Sequence, residues 1–396
     1  MLEQKFDAII ASIFANMTSM ADTFDAIVIG AGVMGSAAAY HLAKQGRRIL
    51  LLEQFQIGHT RASSHGESRI FRFAYDNPEY ARLAMQCKPM WRALEREAGE
   101  TLLLDSDQLD LTDEPARHHD VRAVANTLAQ IGAAFEQLDA AQMRQRYPQW
   151  RLGDAALAVR SPDSGILRAT RCVQVMVSLA AQHGATLREN EAVTKIEAAG
   201  DGVSVTTAKG VYRARKLVIA GGAWLNDLLA HIDLALPLKV TQEQVVYFKP
   251  AANEAAFEHG AFPIFIHWRS QDVGYGFPII GARGVKIGFH HDHYQIDPNS
   301  ERAPREAVTQ RLLAYARRYL PDAAGAPFEP TTCLYTTTPD EDFVVDVAPA
   351  HPNILVSSSC SGHGFKFGIG IGRALADLAM HGQTDMHIGH IRWRDF

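Results

Sequence analysis

The stretch GVKIGFHH (284–291) carries residue types suited to chemistry at a spacing that brings them together. On an extended strand alternate side chains share a face, so Lys286, Gly288 and His290 stand on one side while Val285, Ile287 and Phe289 turn to the other. A lysine and a histidine around a position with no side chain pack poorly as a core and serve well as the polar floor of a ligand site. A solvated sheet edge would show the same pattern. TTCLYTTTPDEDF (331–343) repeats the geometry, with Cys333, Tyr335 and Thr337 on one face and Leu334 on the other. SSHGESRIFRFAY (63–75) carries His65, Ser68, Arg69 and Arg72. Arginines among aromatics suit a core only when paired with an anion, and the planar guanidinium matches a carboxylate. That anion could be a substrate, a phosphate or one of the protein's own acids. Lys366, in SGHGFKF (361–367), adds a further cation.

These groups need a scaffold, and it begins with FDAIVIG (24–30), an unbroken apolar run ending at glycine, as expected of a strand buried on both faces. Residues 33–45 read as a helix whose small Ala37, Ala38 and Ala39 allow close approach to a sheet, with Leu42 on the buried side and Gly46 as the left-handed cap. RRILLLE follows as a second strand. This order of strand, turn, helix and strand is the context that makes GAGVMG informative. Gly30 makes the tight turn, Gly32 admits backbone N–H groups to a pyrophosphate, Gly35 lets helix and strand touch, and Glu53 accepts ribose hydroxyls. An acid there favours a free 2′-hydroxyl, hence FAD or NAD.

Residues 170–229 favour FAD. A helix, a strand, the hairpin signal AAGDG, two short alternating strands and the apolar KLVIAGGAW form a β-meander crossover, which is characteristic of FAD-binding chains. Further on, DFVVDVAP and NILVSSSC read as strands, and SGHGFKFGIGIGRALADLAMHG as a glycine-rich approach to a helix. The positive end of that helix suits a flavin edge that gains negative charge on reduction. An unpaired cysteine is more often an inert buried residue, but beside a flavin the Cys333 thiolate can bond to the ring.

The expected fold is α/β: an FAD-binding Rossmann-like domain of the glutathione-reductase type with an α+β substrate domain built on an antiparallel sheet. The FAD-binding domain is discontinuous, over about 24–98, 158–227 and 329–396, and residues 1–23 form an N-terminal extension. Insertions at about 99–157 and 228–328 form the substrate domain, closed by a helix over 304–320 between Pro304 and Pro321.

Composition limits the partners. The 396 residues suit two domains, and 47% hydrophobic and 21% charged residues with a net charge of −5 argue against disorder and a nucleic-acid footprint. Cys87, Cys172, Cys333 and Cys360 lie far apart with no neighbouring histidine in a zinc arrangement, so neither a metal site nor a disulfide framework is expected and a cytoplasmic location fits. No apolar run approaches the ~20 residues that span a bilayer, so no membrane partner is expected.

Five segments, GAGVMG, SSHGESRIFRFAY, LVIAGGAW, CLYTTTPDEDF and SGHGFKF, together resemble the monomeric sarcosine oxidase and N-methyltryptophan oxidase family of flavoprotein amine oxidases, in the same order from Phe24 to about Arg394. The resemblance implies that Cys333 carries FAD through an 8α-S-cysteinyl link, and that Lys286 is the basic residue on the flavin face where oxygen reacts. It implies that Arg72 and Lys366 bind the substrate carboxylate, that His290, Tyr275 and Tyr335 line the substrate cavity, and that His65 and Arg69 lie close to the flavin. Of these, Lys286, Arg69, His65, His290 and Tyr335 are the expected catalytic group. Arg61, Ser64, Val193, Gly221, Trp224, Gly362, Gly364 and Phe365 join the expected cofactor contacts. Ser68 and Glu67 replace threonine and aspartate of the family pattern, and Ile266 and Trp268 replace the usual residues of the pocket strand, so sarcosine is not carried over as substrate.

The implied activity is oxidation of a secondary or cyclic α-amino acid by a monomer, with hydride transfer to flavin N5, imine hydrolysis and reduction of O2 to H2O2. A dehydrogenase feeding a quinone or electron-transfer protein is the alternative, and a non-catalytic flavin-binding subunit a more distant one.

Overall fold

The computed structural model describes residues 23–281 and 283–396, so the expected N-terminal extension lies, apart from Thr23, outside the described residues. The chain runs from β1 (Thr23–Ile29) through α1 (Val33–Lys44) and β2 (Ile49–Leu52) to β3 (Arg69–Phe71) and the long α2 (Pro78–Ala98). Next come β4 (Leu103–Thr112), α3 (His118–Ile131), β5 (Glu136–Asp139), α4 (Ala140–Arg146) and β6 (Leu157–Leu167). Helix α5 (Ala169–Gln182) leads to β7 (Thr186–Arg188), β8 (Val193–Ala199), β9 (Gly202–Thr207) and β10 (Gly210–Ile219). After α6 (Leu225–Leu229) follow β11 (Lys239–Phe248), β12 (Ile264–His267), β13 (Val273–Phe277), β14 (Val285–His290) and β15 (Tyr294–Gln295). Helix α7 (Glu306–Tyr319), β16 (Pro327–Thr337), β17 (Val344–Ala348), β18 (His351–Ser358) and α8 (Gly368–His381) complete the order.

An eight-stranded sheet is ordered β17-β18-β10-β1-β2-β7, with the β8–β9 hairpin joined to β10, and in it β18, β10, β1, β2 and β7 run parallel. Ala26 and Val28 pack with the apolar faces of α1, α2, α5 and α8, whereas Ile27 and Ile29 pack with the β8–β9 meander. Both faces of β1 are covered, which is why its sequence shows no polar alternation. The expected short strand before KLVIAGGAW is continuous with it: Gly210 to Ala214 of β10 pair with β9, while Arg213 to Ile219 pair with β1.

The ten-stranded sheet is ordered β15-β11-β14-β13-β12-β4-β6-β3, with β16 on β11 and β5 on β6. It is antiparallel except where β12 meets β4, the pair that joins the two insertions. Strands β3, β6 and β16 fall in or overlap segments the sequence grouped with the nucleotide-binding sheet, but their ladders belong here. A short strand carries no local mark of the sheet it will join.

One face of this sheet is apolar. Leu109, Leu111, Val246, Phe248, Phe265, Val285, Ile287 and Phe289 pack with Val308, Leu312, Tyr315, Ala316 and Tyr319 of α7. Burial of each large apolar side chain contributes about 1.5–3 kcal/mol, so the face that receives the helix is strongly specified. Strict alternation then commits the intervening residues to the other face. Asp110, Ile266, Tyr275, Gly288, Val245 and Thr331 form one cross-strand row of that second face.

Candidate active site

A cavity of about 1350 Å³, lined by residues of both sheets, runs from the turn at Gly30 to the surroundings of Lys366. Small-molecule pockets ordinarily measure about 300–1,000 Å³, so this one has room for a dinucleotide together with a second small molecule.

At one end β1 stops at Gly30, whose φ of 97° is left-handed and where a Cβ would lie 2.4 Å from the Ala220 carbonyl oxygen. A Cβ on Gly35 would meet the Gly30 oxygen at 1.8 Å, so α1 and β1 can touch only through glycine. The Val33 N–H in the first turn of α1 donates to Ser64 Oγ (3.0 Å), and the Ala31 N–H donates to Glu53 Oε2 (2.8 Å). Gly32, Val193, Gly221 and Trp224 line the same end. Arg61 does not: its exposed side chain stacks 4.7 Å over Phe55, outside the cavity lining. It sits in a loop, where no periodicity reports the direction of a side chain.

The second face of the ten-stranded sheet forms the other wall. Lys286 Nζ donates to Ser68 Oγ (3.0 Å) and to the Ser68 carbonyl (3.2 Å). Burial, reinforced by the neighbouring Arg69 charge, brings its ammonium pKa down to about 7. Cys333 lines the cavity half-buried, and burial pushes its thiol pKa up against the pull of Arg69. Arg69 directs its guanidinium to the carbonyls of Ser68 (2.8 Å), Ser63 (2.7 Å) and His65 (2.7 Å). This half-buried arginine therefore satisfies its donors with carbonyl oxygens, where the sequence suggested an anion. His65 is buried, and burial together with Arg69 lowers its pKa to about 4, so the ring is neutral. Its Nε2 is shielded and has no partner among the described residues.

Tyr275 lies over Gly288, where a Cβ would come within 2.8 Å of the phenol ring. The His290 and Tyr335 rings stand 5.7 Å apart beside Gly362. Burial, with His291, Arg72 and Lys366 nearby, holds His290 well below the ordinary histidine range. Burial raises the pKa of both phenols. Gly362, Gly364 and Phe365, just ahead of α8, complete this stretch of the wall.

Beyond it lie the remaining cations. Lys366 Nζ donates to Tyr75 Oη (2.8 Å) and to the His363 carbonyl (2.7 Å), and Tyr75 Oη lies 3.2 Å from His363 Nδ1. Burial, with Arg72 close by, depresses Lys366 well below the lysine range. Arg72 stacks 4.3 Å over Tyr75, donates to the Ala74 carbonyl and lies 3.5 Å from Asp110 Oδ1.

Asp110 is the residue that sequence reasoning misses. It is fully buried, and its carboxylate also accepts from Gln108 Nε2 (2.6 Å) and Trp268 Nε1 (3.2 Å). Burial pushes its pKa up to about 6, against the pull of Arg72. In sequence, Gln108, Asp110 and Thr112 alternate with Leu109 and Leu111, which reads as a strand with one wet face. All three are 0% exposed. The available signal was Arg72 itself, since a mostly buried guanidinium calls for acceptors, and one of the protein's own acids was among the candidates. Trp268, anchored by its N–H to Asp110, and Ile266 both line the cavity.

A nucleotide-binding sheet with a meander, a glycine cradle, a shielded nitrogen without a partner and a long cavity ending in the basic side chains of Arg72 and Lys366 fit FAD and an anionic substrate, and so define an FAD-dependent oxidoreductase. Residues 25–378 match the family model described as "DAO: FAD dependent oxidoreductase". The chain is similar to monomeric sarcosine oxidase of Bacillus sp. (strain NS-129), 36% identical over 376 residues that cover 93% of this chain and 96% of that protein. It is also similar to the N-methyl-L-tryptophan oxidase of Citrobacter koseri, at 32% identity over 90% of this chain and 94% of that one. Among solved structures it resembles the open form of NikD, an unusual amino acid oxidase essential for nikkomycin biosynthesis, with a TM-score of 0.82 and 27% identity over 94% of this chain and 97% of NikD. The chain belongs to the FAD-dependent oxidoreductase family, in the group that holds the monomeric sarcosine and N-methyltryptophan oxidases, and it is an FAD-dependent amine oxidase acting on CH–NH bonds. Among the described residues no helix is long and apolar enough to cross a membrane.

Proposed function

We propose that the protein oxidises a secondary or cyclic α-amino acid, such as an N-methyl amino acid or a related imino acid, with O2 as the electron acceptor. One observation carries the reading: Arg72 and Lys366 face the same cavity as the glycine cradle, so a carboxylate held between them shares an enclosure with the flavin.

Gly30, Gly32, Gly35, Glu53, Ser64, Val193, Gly221 and Trp224 would hold the nucleotide half of FAD. Gly362, Gly364 and Phe365 would face the ring system, with Cys333 as its covalent anchor and His65 and Arg69 beside it. Bound FAD supplies the two-electron oxidation of the C–N bond and delivers the electrons to O2, giving H2O2. The residues of the chain contribute orientation and charge. Arg72 and Lys366 clamp the carboxylate. Tyr275, Tyr335, Ile266 and Trp268 enclose the rest of the substrate, and the neutral His290 favours an uncharged amine beside it. A carboxylate arriving at Lys366 favours its charged form, so binding draws a proton from solvent onto Nζ. Lys286, poised near neutrality, sets positive charge where oxygen is reduced. A monomer in the cytoplasm belongs to the same reading; the four unbridged cysteines support a reducing compartment.

The test is a panel of secondary amines offered to the holoenzyme, first without and then with air. N-methyl or cyclic α-amino acids are expected to bleach the flavin anaerobically and to yield H2O2 once air is admitted. Bleaching by none of them would overturn the substrate class. Bleaching without H2O2 would replace the oxidase by a dehydrogenase.

A further inference from the structure

Away from the residues assigned to catalysis, the first turn of α2 meets the C-terminal tail. Glu79 of α2 bonds to His387 Nε2, and the His387 and His390 rings lie 6.0 Å apart. One ligand-capable atom from each of the three residues lies within 4.8 Å of the other two. The H-x-x-H spacing of the tail, which turns at Gly389–Ile391, brings both imidazoles to the same carboxylate. His390 adds a second, independent observation. Both of its ring nitrogens are shielded from solvent, and neither has a hydrogen-bond partner among the described residues. Buried polar atoms in folded proteins are nearly always paired, so an imidazole with two orphaned nitrogens facing two ligand-type side chains calls for a missing partner.

We propose that Glu79, His387 and His390 form a binding site for a divalent transition metal, zinc foremost, that fastens the C-terminal tail to α2. Two imidazoles and one carboxylate suit Zn2+, Co2+ or Ni2+, whereas Mg2+ and Ca2+ take sets of oxygen donors. Tetrahedral zinc with ligands at about 2.0–2.2 Å leaves a fourth position for water. Arg82 already binds Glu79 Oε1 (2.6 Å), which leaves Oε2 to the metal. The metal would replace the hydrogen bond between Glu79 and His387.

The site adjoins the catalytic region without entering it. Tyr80, next to Glu79, meets His390 edge-on (4.8 Å) and stacks on Tyr75 (5.6 Å), the residue that takes Lys366. The bound metal therefore braces the wall behind the cavity and leaves the reacting groups alone.

The holoenzyme would be stripped with a chelator, supplied with Zn2+ and desalted. Bound zinc, the midpoint of thermal unfolding and turnover are then measured. One zinc per chain and a higher midpoint are expected in the wild type, with turnover little changed. His390→Ala and, separately, His387→Ala should weaken zinc binding roughly tenfold or more and abolish the rise in midpoint. His290, His291 and Glu341 also converge, at the cavity lining, so His291→Ala serves as control and should keep its zinc. The proposal is overturned if the wild type retains no zinc, if both tail variants retain as much as the wild type, or if only His291→Ala loses it.

Discussion

The Arg72 guanidinium lies 3.5 Å from Asp110 Oδ1, so the arginine that faces the substrate cavity already has an anion. A substrate carboxylate must compete with Asp110 for it. Burial pushes the Asp110 carboxyl up to about 6, against the pull of Arg72; as pH falls through that value Asp110 takes a proton and Arg72 is released. Binding of a simple carboxylate such as benzoate to the oxidised enzyme, followed by the flavin spectrum, should therefore strengthen as pH falls through about 6 and level off below it. In Asp110→Asn the step should vanish, and binding at pH 8 should be several-fold tighter than in wild type. An unchanged pH profile would remove Asp110 from this role. The sign for stability follows from the same shift. Between the ordinary 3.8 and about 6 the folded state holds more protons at this group, so its contribution falls as pH rises through that window, opposite to a salt-bridged acid with a depressed pKa.

The clamp itself predicts a split between substrates. A hydrogen bond to a charged group contributes about 1.5–3 kcal/mol, so Arg72→Ala should raise KM roughly 10- to 150-fold for carboxylated amines. Amines without a carboxylate should change little. Because Lys366 is depressed well below its ordinary range, binding of a carboxylate should also take up a proton, measurable with an indicator dye in weak buffer. At pH 8, where Asp110 stays ionised, Lys366→Met should bind with little or no uptake, and equal uptake in both would exclude Lys366 as the acceptor.

Lys286, with a pKa brought down to about 7, should make reoxidation by O2 slow as pH rises through neutrality. Lys286→Met should flatten that dependence and slow the oxygen half-reaction by about 10²–10³-fold, the scale of one positioned charge. Stopped-flow reduction by substrate in the same variant should change far less. Equal losses in both half-reactions would contradict the assignment.

Cys333 gives the simplest outcome to read. Acid-precipitated wild-type protein should stay yellow, while Cys333→Ala should release its flavin to the supernatant. Complete release from the wild type would refute the covalent link.

Much of the site was legible in the sequence where its cause is local. The sides taken by Lys286 and His290 follow from a period of two that places Val285, Ile287 and Phe289 against α7. Likewise, GAGVMG between two apolar strands has few structural readings, and the 1.8 Å approach at Gly35 shows the reason. Arg61 went astray because a loop has no period. Asp110 went astray because a polar residue alternating with leucines looks the same whether water or an arginine covers it.

The sequence by itself determined the nucleotide turn, the β8–β9 hairpin and the faces of β14 and β16, since repeat, spacing and glycine placement act over a few residues, whereas the one strand expected over 185–197 divides into β7 and β8. Only the tertiary structure decided which polar faces meet. Arg72 finds Asp110 across two strands, Lys366 finds Tyr75, and the tail histidines find Glu79 some three hundred residues earlier. Such pairings arise when sheets close over one another and exclude water, and burial then sets their charge. No local pattern records which surfaces will close.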